Sequence, residues 1–467
     1  MMRRLAVHIS IFLSFCGVAL AQERDTVRTR EVEVSANLLE GDVVNGERIR
    51  RLTGDVRLRQ EETRLWARRA VQYLDRREIL FTGDVLVVER GDTLRADTVL
   101  YNSRLKTGSA SGRVRLSDGD VFVRAPSGLY FTREKRAQFT EGVTLIDSSA
   151  VLSSRGGEYW SDEKRAEFYG EVRLNEGRTH LESDSVTYFR ETDVSIARGN
   201  VFIERLGEDD GENADTLSRT LLFSDRAYND DKAQYSRIEG DPLLVRLRTD
   251  STGADVDTLL IRAALLESSQ EDSLQRLVAV DSVMIWQNDL AAVADSLVSE
   301  RFSLSDGPTI EEVRLFDSPL AWFVTNQISG DSLTIKARDG SVDTLLVRGN
   351  AFVARRDSVI DRIHQIKGQH LLATFEDDSL KTLSIGPRAE AINFRTDEED
   401  LRAGAVKMSA DRINFLFEGD DLRRLSAISG TEGTYYSEDL MPDDLTLEGF
   451  RWLPELRPTK RSLLGDT

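Results

Sequence analysis

Cysteine is nearly missing from this chain of 467 residues, and its one example is Cys16. That residue sits in a stretch that reads as a leader. Disulfides, thiolate nucleophiles and cysteine metal sites are therefore excluded from the mature protein, although the compartment such a leader implies permits disulfides. A fold that needs no staples there should have a long, continuous core. Histidine is scarce as well, with 4 in the chain. His180 adjoins Leu181 in an alternating stretch, and His364 and His370 are six residues apart, a poor ligand spacing on a strand. No basic cluster stands out, because 62 basic and 81 acidic residues are interspersed and sum to −19. Nucleic acid needs a basic face and is disfavoured. By the same net charge an anionic membrane would repel the chain. No Gly-x-Ser-x-Gly elbow or phosphate loop occurs. Only 8 prolines are present, and long helical periodicity is absent.

The N-terminus has the order of a secretory signal. Arg3 and Arg4 precede an apolar run from Leu5 to Leu20, and Ala19-Leu20-Ala21 has the small-x-small form of a cleavage site. Residues 1–21 are expected to be removed, leaving Gln22 first. No later apolar stretch reaches the ~18 residues that a spanning helix needs. Phe15 stands where lipidation of Cys16 would require a small residue, so a lipid anchor is not expected.

A repeat decides the architecture. Gly-x-Val occurs as Gly54-Asp55-Val56, Gly83-Asp84-Val85, Gly112-Arg113-Val114, Gly170-Glu171-Val172 and Gly199-Asn200-Val201, and Glu141-Gly142-Val143 has the glycine moved by one. The valines at 56, 85, 114, 143, 172 and 201 keep a step of 29. Other columns keep it too: Leu65, Leu94, Val123, Leu152 and Leu181; Ala67, Ala96, Ala125, Ser154 and Ser183; Tyr101, Tyr130, Tyr159 and Tyr188. Each unit reads as three short strands. Val114-Arg115-Leu116 and Val172-Arg173-Leu174 alternate apolar with charged, which turns one face inward and the other to water.

Such a unit cannot bury its apolar face alone, whereas stacked units can. The expected fold is all-β, an elongated jellyroll or solenoid of stacked repeats. Its interior should be lined by Val56, Leu58, Val85, Val87, Val114, Leu116, Val143, Leu145, Val172, Leu174, Val201 and Ile203. By periodicity alone, these residues make a dry core. The domain plan is a leader (1–21), the repeats (22–206), an acidic loop (207–219), a second and looser array (220–432) and an irregular tail (433–467). Units of the second array are visible at Gly330–Ile335, Arg348–Val353, Ile366–Leu371 and Leu380–Ile385. Gly449–Pro454 is expected as a docking segment, and the end beyond Arg457-Pro458 as disordered.

The repeated Gly-x-Val-x-Leu rung, followed by a Leu-x-Ala…Tyr strand, resembles the OstA-like family, which includes LptA-type periplasmic lipopolysaccharide-transport proteins. The resemblance is densest over residues 30–206. Asn326–Ser332, Gly349–Phe352 and Gly368–Ile392 resemble the second set of units in longer members. The resemblance implies an open jellyroll whose groove, formed by the twelve interior residues named above, holds the acyl chains of lipopolysaccharide (lipid A). It implies a periplasmic location, including association with the outer membrane. It also implies pairing of edge strands with transport proteins at the inner and outer membranes, and head-to-tail self-association. No cofactor, metal or catalytic residue is expected, and no nucleic acid partner. Two rival readings are an exported structural or adhesive solenoid with a dry interior, and a polysaccharide-active β-helix enzyme. The enzyme would need carboxylates converging on one rung, and no such constellation is visible.

Overall fold

The computed structural model of the chain describes residues 32–465 except 61, 90, 118, 120, 147, 208–216, 250–254, 304–306, 377–378, 396–403 and 420. The leader and most of the acidic loop lie outside the described residues. The protein is almost wholly antiparallel β-structure. It divides into two compact units, Met1–Arg205 with Arg226–Ala233, and Leu206–Asp225 with Gln234–Thr467. Among the described residues no helix is long and apolar enough to cross a membrane.

In the first unit the strands are β1 (Val32–Ser35), β2 (Leu38–Val44), β3 (Glu47–Gln60), β4 (Thr63–Tyr73), β5 (Glu78–Glu89), β6 (Asp92–Asn102), β7 (Thr107–Ser117) and β8 (Phe122–Phe131). They continue as β9 (Arg136–Phe139), β10 (Val143–Ile146), β11 (Ala150–Ser154), β12 (Gly156–Trp160), β13 (Arg165–Glu176), β14 (Thr179–Phe189) and β15 (Val194–Leu206). Four-residue turns follow β4, β6, β8, β12 and β14, and tight turns join the other ends. Each four-residue turn ends on a left-handed residue such as Arg77, Lys106, Lys135 or Lys164. Its carbonyl accepts from the first amide of the following turn: Ser103 to Arg77 at 2.9 Å, Thr132 to Lys106 at 2.9 Å, Ser161 to Lys135 at 3.0 Å. The turns thus form a ladder of their own beside the strand ladder.

The three short strands expected per unit are two. The third strand of one unit and the first of the next are the arms of a single bent strand. The bend is a bulge in which two residues oppose one: in β3 against β4 the register jumps from Thr53/Arg69 to Val56/Ala67. Gly54 and Asp55 both lie in the left-handed region (φ 76° and 45°), as do Gly83 and Asp84, Gly112 and Arg113, Gly170 and Glu171, Gly199 and Asn200. Such a bulge sharpens the twist and turns the strand. Where the glycine is displaced, at Gly142, the bent strand is broken into β9 and β10. The opposing residue closes over the glycine and pairs with its neighbour, as Arg68 with Asp84, Asp97 with Arg113 and Asp184 with Asn200.

In the second unit corners of the same kind occur at Gly240-Asp241 and Gly349-Asn350, but also at Asp281-Ser282 and Asp317-Ser318, where no glycine marks them. Strands at Asp255–Arg262, Leu265–Glu271, Leu274–Gln287 and Leu290–Ser303 fill a stretch in which sequence spacing showed no unit. The C-terminal segment is ordered where disorder was expected. Gln365 Oε1 accepts from the Leu447 amide at 2.8 Å. Gln327 accepts from the Leu453 amide and donates to the Arg451 carbonyl, each at 2.8 Å. Arg457 caps the carbonyls of Val324 and Asp289 at 3.0 Å. The helix Lys460–Leu464, capped by Thr459, buries Leu463 against Leu243, Val245 and Leu260. Phe450 and Trp452, in the expected docking segment, pack against a cluster that includes Phe352, Ile392 and Leu447.

The corner glycines support a direct test. A Cβ on Gly83, at φ +84°, would stand 2.9 Å from Arg68 Cβ. Gly83→Val is expected to lower stability by roughly 1–3 kcal/mol through a strained backbone and a clash, read as a lower urea midpoint. An unchanged midpoint would show that the bend tolerates a right-handed substitute.

Candidate functional site

The bent strands give the first unit two walls. In the wall after the corner, alternation and register line up one aliphatic row across the strands: Leu58, Leu65, Val87, Leu94, Leu116, Val123, Leu145, Leu152, Leu174, Leu181 and Ile203. A second row nearer the corner pairs Val56 with Ala67, Val85 with Ala96, Val114 with Ala125 and Val172 with Ser183. No polar side chain interrupts the first row.

The wall before the corner is built on alternation of large and small residues. Tyr101 pairs with Gly108, Gly108 with Tyr130, Tyr130 with Ala137, Ala137 with Tyr159, Tyr159 with Ala166 and Ala166 with Tyr188. Tyr130, Tyr159 and Tyr188 each have a small neighbour on either side, whereas Tyr101 has Gly108 on one side and Ile79 on the other, so bulky side chains can pack without spreading the strands. Phe81, Phe139 and Phe168 form a parallel buried set.

The walls face each other. Val123, Val143 and Leu145 of one share a cavity of about 30 Å³ with Phe139, Tyr159, Phe168 and Tyr188 of the other. That is room for about one water-sized group. Of the expected interior residues, Val56, Leu58, Val85, Val87, Val114, Leu116, Val143, Leu145, Val172, Leu174 and Val201 are no more than 5% exposed, and Ile203 is half-buried. The structure therefore brings them together on one wall, but here that wall is packed against its opposite rather than open as a trough.

Toward the free ends of the walls the interior becomes polar. Gln60, Thr63, Glu89 and Asp92 are buried in register with one another near the tight turns. The tyrosines occupy the opposite lip. Burial pushes the Tyr130 phenol well above its ordinary range, with the carboxylates of Glu89 and Asp162 adding to it. Burial does the same for Tyr188, which donates to Asp193 Oδ1 at 2.9 Å, and raises Tyr159 against the opposing effect of Arg190. The mouth is thus a line of neutral phenols and buried polar groups over an apolar interior. Sequence periodicity picks out the tyrosine column but not its position at the lip, since that depends on where each strand bends. Among the described residues no group of three or more His, Cys, Asp or Glu is placed to hold a metal. His180 faces outward, with Asn175 at 2.8 Å. His364, in the second unit, has its pKa lowered, chiefly by burial.

Residues 30–184 match the family model described as OstA-like protein. This stretch of the chain is similar to that family. It contains most of the two-walled unit, from β1 into β14. Among solved structures, that of LptH, the LptA-homologous periplasmic component of the lipopolysaccharide transport device of Pseudomonas aeruginosa, aligns with 37% of this chain and 85% of its own at 12% identity, with a TM-score of 0.15. No curated protein matches the sequence.

Tyr130, Tyr159 and Tyr188 carry a pH signature. Their folded pKa values lie above the unfolded value of about 10. The stability this contributes is therefore complete below pH ~10 and is lost as pH rises through the folded values. Tyr130→Phe/Tyr159→Phe/Tyr188→Phe should flatten the alkaline decline of the urea midpoint. An identical decline in the triple variant would mean that these phenols titrate alike in the folded and unfolded states.

Proposed function

We propose that the first unit carries the acyl part of lipopolysaccharide (lipid A) between its two walls and passes it toward the outer membrane from a periplasmic position. The observation that carries this reading is the unbroken aliphatic row from Leu58 to Ile203. It offers a lipid tail the same surface at every strand, with no polar step to stop sliding. Each methylene removed from water is worth about 0.8 kcal/mol, so a multi-chain lipid cannot cross an aqueous space unshielded. The OstA-like match over residues 30–184 supports the same class. In this reading acyl chains replace wall-to-wall contacts. The walls part at the mouth and stay joined at the bulged corners. The protein is a carrier, not an enzyme, and acts with other transport proteins.

The packed interior favours a second reading, a structural solenoid with a permanently dry core. A photo-crosslinking residue at Leu116, with exposed Leu105 as the control, separates the two. The transport reading expects adducts with lipopolysaccharide from Leu116 and few from Leu105. Adducts to protein alone, or equal yields at both positions, would leave the solenoid.

The edge formed by β2 supports the partner part of the proposal. Leu39 and Val43 are more than 60% exposed there, and an exposed apolar edge strand is a template for pairing. Sedimentation of the wild-type chain should show end-to-end association that Leu39→Lys/Val43→Lys abolishes. A wild-type chain monomeric throughout the micromolar range would remove self-association from the proposal.

A further inference from the structure

The net charge of −19 describes the sum of the charges and not their arrangement. On the outer face of the wall after the corner, register places Arg95 beside Arg115 and Arg115 beside Arg124 on three adjacent strands. All three are exposed. None makes an ion pair or a side-chain hydrogen bond with another described residue, in contrast to Arg68, Arg113 and Arg155 at the corners, each matched with a carboxylate. Like charges directly opposite one another destabilise a sheet, so a row of three unpaired guanidiniums costs stability in the isolated chain.

Beside this row runs an apolar one. Phe122 pairs with Ile146 and Ile146 with Val151, and Phe122 and Val151 are 48% and 42% exposed. Following the register from Trp66 to Ser153 in the arginine row, and from Arg64 to Val151 in the apolar row, no carboxylate occurs. Asp118, Asp120 and Asp147 lie outside the described residues.

We propose that this face is a docking surface for an anionic phospholipid membrane. Neighbouring strands lie about 4.8 Å apart, so the guanidiniums form a short flat line that can meet several headgroup phosphates at once, each in bidentate geometry. Phe122 and Val151 stand where side chains enter the interfacial layer, as on surface-binding amphipathic elements. Exposed apolar side chains on a flat face distinguish this surface from one built for an acidic protein or a polynucleotide, which would need polar or stacking partners between the cations. The inference is independent of the lipid-carrying reading, since it uses the opposite face of the wall.

Flotation of the full chain with vesicles of phosphatidylglycerol and phosphatidylcholine in roughly 3:7 ratio tests it. Binding is expected at low salt, with release near 0.5 M salt, roughly where screening shortens to a few ångströms. Arg95→Gln/Arg115→Gln/Arg124→Gln should weaken partitioning by on the order of hundredfold, with circular dichroism unchanged. A control with the same charge change at ion-paired sites, Arg48→Gln/Arg76→Gln/Arg113→Gln, should weaken it far less. Phe122→Ser should weaken binding without altering its salt dependence. Absence of binding to the anionic vesicles, undiminished binding by the first triple variant, or equal losses in both triple variants would each overturn the proposal.

Discussion

Two successive residues in the left-handed region, at five corners, bend the long strands of the first unit at the same height. Everything else about that unit depends on this bend. Without it, the alternation of Val56-Arg57-Leu58 and its successors would make a flat sheet with one greasy face and nothing to cover it. With it, the same strand supplies both an aliphatic wall and a tyrosine-bearing wall. The cost of the left-handed backbone is low at Gly54, Gly83, Gly112, Gly170 and Gly199. The second residue of each pair is not glycine, and at four of these corners its side chain pairs with the residue packed over the glycine: Asp84, Arg113, Glu171 and Asn200. These pairs are exposed and contribute little energy; they are better understood as fixing which residue occupies the bulge.

The inward set of the first unit was readable from sequence because its period is that of the hairpin. Val114, Leu116, Val172 and Leu174 had to share a face once the units stacked, and the structure buries them on one wall. The number of strands is not legible in the sequence, because a glycine between two alternating segments reads as a turn, and only backbone register distinguishes a turn from a bulge within one strand. The corners at Asp281-Ser282 and Asp317-Ser318 are hidden for the opposite reason: aspartate and serine accept the left-handed region without a sequence mark. Gln327 and Gln365 look like ordinary polar strand residues, and nothing nearby in sequence shows that each grips a segment some 80 to 130 positions away. The arginine row was hidden because Arg95, Arg115 and Arg124 are separated by carboxylates along the chain and brought together only by pairing.

The two faces of the wall after the corner illustrate how one period serves two chemistries. The inward row from Leu58 to Ile203 is aliphatic throughout, while the outward positions are free to vary, from the arginines of β6 to β8 to the Arg173–Glu182 pair of β13 and β14. A carrier that handles an amphiphile would use both, with tails on one side and charge on the other.

The grip of Gln327, Gln365 and Arg457 on the C-terminal segment has a bearing on the order in which the protein assembles. Hairpins of the first unit touch their immediate successors, so that unit can zip up one loop at a time at small entropic expense per step. The second unit completes its apolar clusters only when Leu447 and Leu463 arrive from far along the chain. Its amides should exchange with solvent as one block governed by that final closure, whereas those of the first unit should follow a gradient from the ends inward.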